Sequence, residues 1–303
     1  MSEKVSSLKP LVMGHEASGV IEEVGSATSK LKVGDRVAIE PGYPCRRCDI
    51  CKRGQYNLCR DMKFAACPPD DHGTLTRLFR VPEDFCYKLS DNVGLEEAVL
   101  IEPLSVAVHA AKAANIRQGD SVVIFGSGTI GLLSAAVAKA FGAKKVVAVD
   151  ILDSKLQFAR KWNHSDTFKP DIQASPKSNA ERLLVDNELG LGADVVIEAS
   201  GRASSINGGI YALRPGGNFV QVGMVGQNID FPIQQVAERE LHIHGCYRYG
   251  AGDFETALQM LSTKQIDVKD LISTILPFEQ ATQAWEMTKR GQGIKNLIRG
   301  PGL

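Results

Sequence analysis

Val122-Val123-Ile124-Phe125-Gly126-Ser127-Gly128-Thr129-Ile130-Gly131 decides the fold of this chain. Four apolar β-prone residues run into three spaced glycines, and apolar residues then recur at helical spacing through Phe141. The pattern predicts a strand over Ser121 to Phe125, a tight turn, and a helix over Thr129 to Phe141. Gly126 permits the turn, Gly128 lets the backbone approach a pyrophosphate, and Gly131 lets helix and strand pack closely. The free N–H groups of the helix start favour an anion there.

Outward from this turn the sequence repeats the alternation. Lys145 to Asp150 reads as a strand and Ser154 to Trp162 as a helix. Ala193 to Ala199 and Asn218 to Val222 read as further strands. Strands alternating with helices imply βαβ units and a parallel sheet covered on both faces. The second strand ends at Asp150, nineteen residues after Gly131. A carboxylate there accepts from both adenine-ribose hydroxyls and repels a 2′-phosphate, so the expected cofactor is NAD rather than NADP.

The flanking regions have another texture. Residues 11 to about 103 are rich in Gly, Pro and short β-prone runs such as Gly19 to Val24 and Arg36 to Ile39. Residues 245 to 303 are mixed, with helices expected near Asp253 to Ser262 and Glu279 to Lys289. Four of the seven cysteines crowd into Cys45-x2-Cys48-x2-Cys51-x7-Cys59. Four thiolates at this spacing fold around one tetrahedral zinc, a closed structural site, and iron–sulfur is the other group they could hold. Arg46, Arg47, Lys52 and Arg53 offset the negative charge of such a centre.

Composition excludes other classes. Lys plus Arg equals Asp plus Glu at 35 each, so no basic surface for nucleic acid or anionic lipid is implied. The most apolar stretch, Val122 to Ala143, is the glycine-turn segment itself and is not read as a membrane span. Met1 to Pro10 is polar, with no apolar signal core. Clustered cysteines without a leader imply a reducing compartment, and the expected location is cytoplasmic.

A thiolate lobe followed by a glycine-turn domain resembles the zinc-containing medium-chain dehydrogenases. Gly14-His15-Glu16-Ala17-Ser18-Gly19, Val33-Gly34-Asp35-Arg36-Val37-Ala38, Pro82-Glu83-Asp84-Phe85-Cys86-Tyr87-Lys88-Leu89 and Ile101-Glu102-Pro103-Leu104-Ser105-Val106 are similar to the polyol branch. That branch holds the sorbitol and xylitol dehydrogenases. Arg248-Tyr249-Gly250 and Gly293-Ile294-Lys295 are similar to the fungal xylitol enzymes. The likeness extends from Pro10 to the end.

The resemblance implies an α/β fold: a Rossmann doubly wound parallel sheet plus a truncated β-barrel-like catalytic domain of alcohol-dehydrogenase type. It implies a catalytic domain over 1–103 and 245–303, carrying the zinc lobe 45–59, and an NAD-binding domain over 104–244. It implies a catalytic zinc held by His15 and Glu16, with Glu102 holding the zinc-bound water. Arg248 and Tyr249 match polyol contacts; read as residues alone they fit a surface ion pair and a packed ring equally well. Asp150 and Lys155 match the ribose contacts and Ile130 the glycine-turn contact. Val222, Gly223 and Met224, with Cys246, Tyr247 and Arg248, match the nicotinamide-side segments. The implied reaction is oxidation of xylitol or sorbitol to the 2-ketose, in a homo-oligomer, tetramer or dimer.

One departure stands out. Family members supply the first catalytic zinc ligand from a Cys-Gly-Ser-Asp motif ahead of Gly-His-Glu, and residues 1 to 14 here contain no cysteine. The catalytic zinc is therefore expected to bind more weakly. The alternative expectation is an NAD-binding pseudoenzyme, or an incomplete isoform that is inactive. A metal-independent reductase is disfavoured by the retained His15, Glu16, Glu102 and cysteines.

Overall fold

The computed structural model describes residues 9–69, 71–226 and 228–301. The chain divides into two compact units. One comprises Met1–Ser105 with Tyr249–Leu303, the other Val106–Arg248.

The Val106–Arg248 unit is built on six strands. They are β1 (Ser121–Phe125), β2 (Lys145–Val149), β3 (Asp166–Phe168), β4 (Ala193–Glu198), β5 (Leu213–Gln221) and β6 (His242–Gly245). Their order across the sheet is 3-2-1-4-5-6, and every pair is parallel. This is the doubly wound arrangement that the alternating pattern implied. β1 is buried along its whole length, because helices cover both faces of the central strands. That burial explains why β1, β2 and β4 read as unbroken apolar runs. Helix α1 (Thr129–Ala140) follows β1, and α2 (Asp153–Asn163) follows β2. Helices α3 (Pro176–Asp186) and α4 (Ala203–Ala212) flank β4 in sequence. Val123, Val147, Val196, Leu183, Ile210 and Phe219 belong to one buried cluster of this unit.

Two sequence features shape the edges. β5 shifts register between Leu213 and Asn218, where Arg214-Pro215-Gly216-Gly217 interrupts the ladder. β3 and β6, at opposite edges, were not expected from the sequence.

The other unit is mostly antiparallel. Ala17–Val20 pairs with Arg36–Ile39, which pairs with Cys86–Lys88. The first of these strands ends at Val20, short of the expected Val24, with Ile21 exchanging one further pair of backbone bonds with Asp35 and Gly34. Gly42–Tyr43 pairs with Lys63–Phe64, and Ile272–Leu276 runs parallel to Lys295–Ile298. Helix Asp253–Ser262 buries Phe254, Ala257 and Leu261, one stripe at helical spacing. Among the described residues, no helix is long and apolar enough to cross a membrane.

Candidate active site

The cysteine lobe comes first in the chain. Proline and glycine bend residues 41–54, and Arg46 adopts the left-handed conformation at φ 65°. This curls the amides of Arg47 and Cys48 onto Cys45. Their N–H groups favour its thiolate and pull its pKa down to about 6. Burial and the neighbouring thiols push Cys51 up to about 12. Ligand atoms of Cys45, Cys48, Cys51 and Cys59 all lie within 4.8 Å of one another. Cys45 Sγ and Cys51 Sγ are 3.9 Å apart, and Cys48 Sγ and Cys51 Sγ 3.3 Å. A tetrahedral zinc with Zn–S near 2.3 Å needs sulfurs about 3.8 Å apart. The four thiols fit that ion, and all seven cysteines are free of disulfides.

The second cluster is assembled from distant segments. Gly14 turns at φ 92°, and loop residues 73–75 grip the backbone on either side of it. Gly73 N–H bonds to the Val12 carbonyl at 2.7 Å, Thr74 N–H to Gly14 at 2.8 Å, and Leu75 N–H to Met13 at 2.9 Å. That turn lets adjacent His15 and Glu16 converge, which a regular strand would forbid. Glu102 enters from the first turn of helix Ile101–Ala113 and is buried. His15, Glu16 and Glu102 present ligand atoms within 4.8 Å of one another. An imidazole and two carboxylates suit zinc.

Two groups beside this cluster sharpen its character. Lys295, on strand Lys295–Ile298, forms an ion pair with Glu16. Burial alone pushes the Lys295 ammonium down to about 8. Tyr249 is only 2% exposed, and its hydroxyl faces the Glu102 carboxylate. Burial, then the charge of Glu102, raises its pKa well above the ordinary phenol value. Cys67 and Cys86 join no metal-capable cluster among the described residues.

In the Val106–Arg248 unit the expected cofactor residues all follow strand ends. Gly126, after β1, turns at φ 94° with its N–H bonded to the Val149 carbonyl at 2.8 Å. Gly131 faces the Gly126 carbonyl so closely that a side chain could not fit, while Gly128 faces open space. Ile130 sits in the first turn of α1. Asp150, after β2, accepts from Ser127 N–H at 2.9 Å and from Leu152 N–H at 3.0 Å. Gly126, Asp150 and Lys155 line one cavity of about 420 Å³ with Phe125 and Phe168. An apolar cleft with a few convergent polar groups is the form of a small-molecule site, here at the carboxyl ends of the strands. Val222, Gly223 and Met224 follow β5, and Cys246, Tyr247 and Arg248 follow β6. Cys246 N–H bonds to the Gln221 carbonyl at 2.9 Å and so ties the two segments. Arg248 lies over the Tyr247 ring at 4.7 Å.

The sequence reading missed three residues here. Glu198 ends β4 fully buried and accepts from Ser200 N–H, Gly201 N–H and Gln221 Nε2. It thereby organises the loops after β4 and β5. An acid closing an apolar strand, as Asp150 does, was the available signal. Arg202 lines the same cavity from the N-cap of α4. Lys295 stood in Gly293-Ile294-Lys295 without a role.

Comparison with known proteins accords with this architecture. The zinc-binding dehydrogenase family model matches residues 129–263, and the alcohol dehydrogenase GroES-like domain matches residues 2–91. D-xylulose reductase A of Aspergillus oryzae is 53% identical over 96% of this chain and 81% of its own. The Aspergillus niger protein of the same name is 52% identical, with the same coverage. Among solved structures, an Escherichia coli oxidoreductase/dehydrogenase of unknown specificity superposes with TM-score 0.91 at 31% identity. It covers 99% of this chain and 85% of its own. L-idonate 5-dehydrogenase from Escherichia coli gives 0.85 at 30% identity, with 95% and 81% covered. The chain belongs to the zinc-binding medium-chain dehydrogenases, in their polyol branch.

Proposed function

We propose that the chain is an NAD-linked, zinc-dependent polyol dehydrogenase that oxidises xylitol or sorbitol to the 2-ketose. The observation that carries this reading is the convergence of His15, Glu16 and Glu102, with the buried Tyr249 hydroxyl facing Glu102. The Met1–Ser105 and Tyr249–Leu303 unit is the catalytic one in this reading, and the Val106–Arg248 unit binds the dinucleotide. The fungal relatives named D-xylulose reductase and the Escherichia coli enzyme named L-idonate 5-dehydrogenase support a polyhydroxy substrate.

Bound zinc would supply a Lewis acid at the substrate hydroxyl, and bound NAD a hydride acceptor. His15 and Glu16 would hold the first, with Glu102 beside them. Glu102 also offers a carboxylate oxygen to take and relay the hydroxyl proton. Tyr249, with Arg248, orients the polyol through its other hydroxyls. Gly126, Gly128 and the start of α1 receive the pyrophosphate. Asp150 and Lys155 bind the adenine ribose, Ile130 packs at the glycine turn, and residues 222–224 and 246–248 flank the nicotinamide.

The four-cysteine lobe holds a second, structural zinc. The free thiols support a reducing compartment, and we assign the cytoplasm. Edge strand β6, with Ile243 42% exposed, offers a surface on which a homo-oligomer can pair.

Dialysed recombinant protein tests the proposal. Two zinc ions per chain, polyol oxidation with NAD and far weaker oxidation with NADP are expected. One zinc and no turnover, with NAD still bound, would replace it with a non-catalytic NAD-binding protein.

A further inference from the structure

Glu40 has no part in the reaction above, yet it is completely buried. Two phenols donate to it, Tyr56 to Oε1 at 2.5 Å and Tyr87 to Oε2 at 2.7 Å. The three residues come from separate segments. Glu40 follows strand Arg36–Ile39, Tyr87 lies on the neighbouring strand, and Tyr56 lies between Cys51 and Cys59 of the metal lobe. Two phenols each spending a hydrogen on one oxygen of the group is the pattern of an ionised carboxylate.

Both phenols lead to the segment that carries Tyr249. The Tyr56 hydroxyl also lies 3.3 Å from the Gly250 carbonyl oxygen, and Gly250 N–H donates to Asp253 Oδ2 at 2.7 Å. The Tyr87 ring stacks on Phe254 at 4.6 Å, and Phe254 meets the Tyr249 ring edge-on at 5.9 Å. Tyr249-Gly250 is thus held from both sides by groups that converge on Glu40.

We propose that Glu40 is a positioning residue for Tyr249-Gly250, acting through Tyr56 and Tyr87, and that its protonation state sets how firmly polyol is held. The inference rests on the reading of Tyr249 as a substrate contact. Tyr56 has one hydrogen to give. While Glu40 is ionised, that hydrogen serves the carboxylate and the Gly250 carbonyl receives only a long contact. When Glu40 takes one proton from solvent, its new O–H must donate. Tyr56 then accepts, and its own hydrogen turns to the Gly250 carbonyl. One proton is bound and no covalent bond other than that O–H changes.

The charges facing Glu40 favour a midpoint in the working range. Burial comes first, and the carboxylates of Glu255 and Asp84 add to it. Against these act the two phenol bonds, and the carboxyl sits at about 7. Asp84 is itself paired with Arg46 at 2.7 Å, and the Tyr249 hydroxyl also feels the Glu40 charge. The protonated form turns the Tyr56 hydrogen onto the Gly250 carbonyl, so it holds Tyr249-Gly250 more firmly.

The test has two arms, both on the zinc- and NAD-loaded full chain. The first follows the Gly250 carbonyl carbon shift by NMR across neutral pH, without substrate. A single step is expected in the wild type, and none in E40Q or Y56F. No step in the wild type, or the same step in E40Q, overturns the inference. The second arm measures KM and kcat for xylitol. From about pH 6 to about pH 8, wild-type KM should rise about fivefold more than that of E40Q, with kcat moving alike in both. Parallel KM profiles overturn the link to substrate. A wild type that shows the carbonyl step but oxidises no polyol would sink the proposed function and leave the positioning role intact.

Discussion

The two units of this chain build their sites in opposite ways. In the Val106–Arg248 unit the candidate cofactor cleft is local. Gly126, Gly128, Gly131, Asp150 and Lys155 fall within one βαβ stretch, and the 3-2-1-4-5-6 sheet places them at strand ends. In the other unit the candidate metal centre is non-local. His15 and Glu16 come from a glycine turn, Glu102 from a helix start, and Lys295 from a strand near the end of the chain. A local site survives damage elsewhere in the fold. A non-local one depends on every segment arriving.

The sharpest way to break that contrast is His15→Ala. Loss of one of three clustered ligands should lower polyol oxidation by about a thousandfold, since a bound Lewis acid contributes several kcal/mol. Calorimetric NAD binding should stay unchanged. Equal loss of both would mean that the two sites are not independent.

The buried acid offers a stability test of the same unit. Glu40 titrates at about 7 rather than its ordinary 4.5, so the folded chain binds its proton more tightly than the unfolded chain does. The stability it contributes is complete below the unfolded value and is lost as pH rises through the folded one. Glu40→Gln has no such loss. Its stability relative to wild type should therefore improve with pH, by on the order of 3 kcal/mol once both values are passed. Urea unfolding below about pH 4.5 and above about pH 7 measures it. A difference independent of pH would show that Glu40 is ionised at its ordinary value.

Asp150→Ala should act on the local site alone. If Asp150 bonds the ribose as proposed, its removal should raise the NAD KM about thirtyfold and narrow the proposed preference over NADP. Zinc content should not change. The smallest effect belongs to Arg46→Met, which removes a half-exposed ion pair with Asp84 and shifts stability by less than about 1 kcal/mol.

Legibility in the sequence followed the same division. The buried strands β1, β2 and β4 were readable, because strands covered on both faces show continuous apolar runs. Edge strand β6 was not. His242 and Ile243 are exposed, so no apolar alternation marks it. Helix α3 was passed over although Ser175 caps it, accepting from Ser178 N–H with Pro176 in the first turn. The four cysteines announced their cluster by spacing. Glu40 announced nothing, and Lys295 stood in Gly293-Ile294-Lys295 without a role, since a single charged residue gains meaning only from what packs around it. His15, Glu16 and Glu102 were nameable through family likeness, but their approach required the turn at Gly14.

X-ray absorption at the zinc edge of dialysed, NAD-binding protein tests the central claim most directly. The account predicts two zinc environments, one with four sulfurs at about 2.3 Å and one with nitrogen and oxygen ligands at about 2.0–2.1 Å. A sulfur-only spectrum with one zinc per chain would contradict it, because the cluster of His15, Glu16 and Glu102 would then hold no metal.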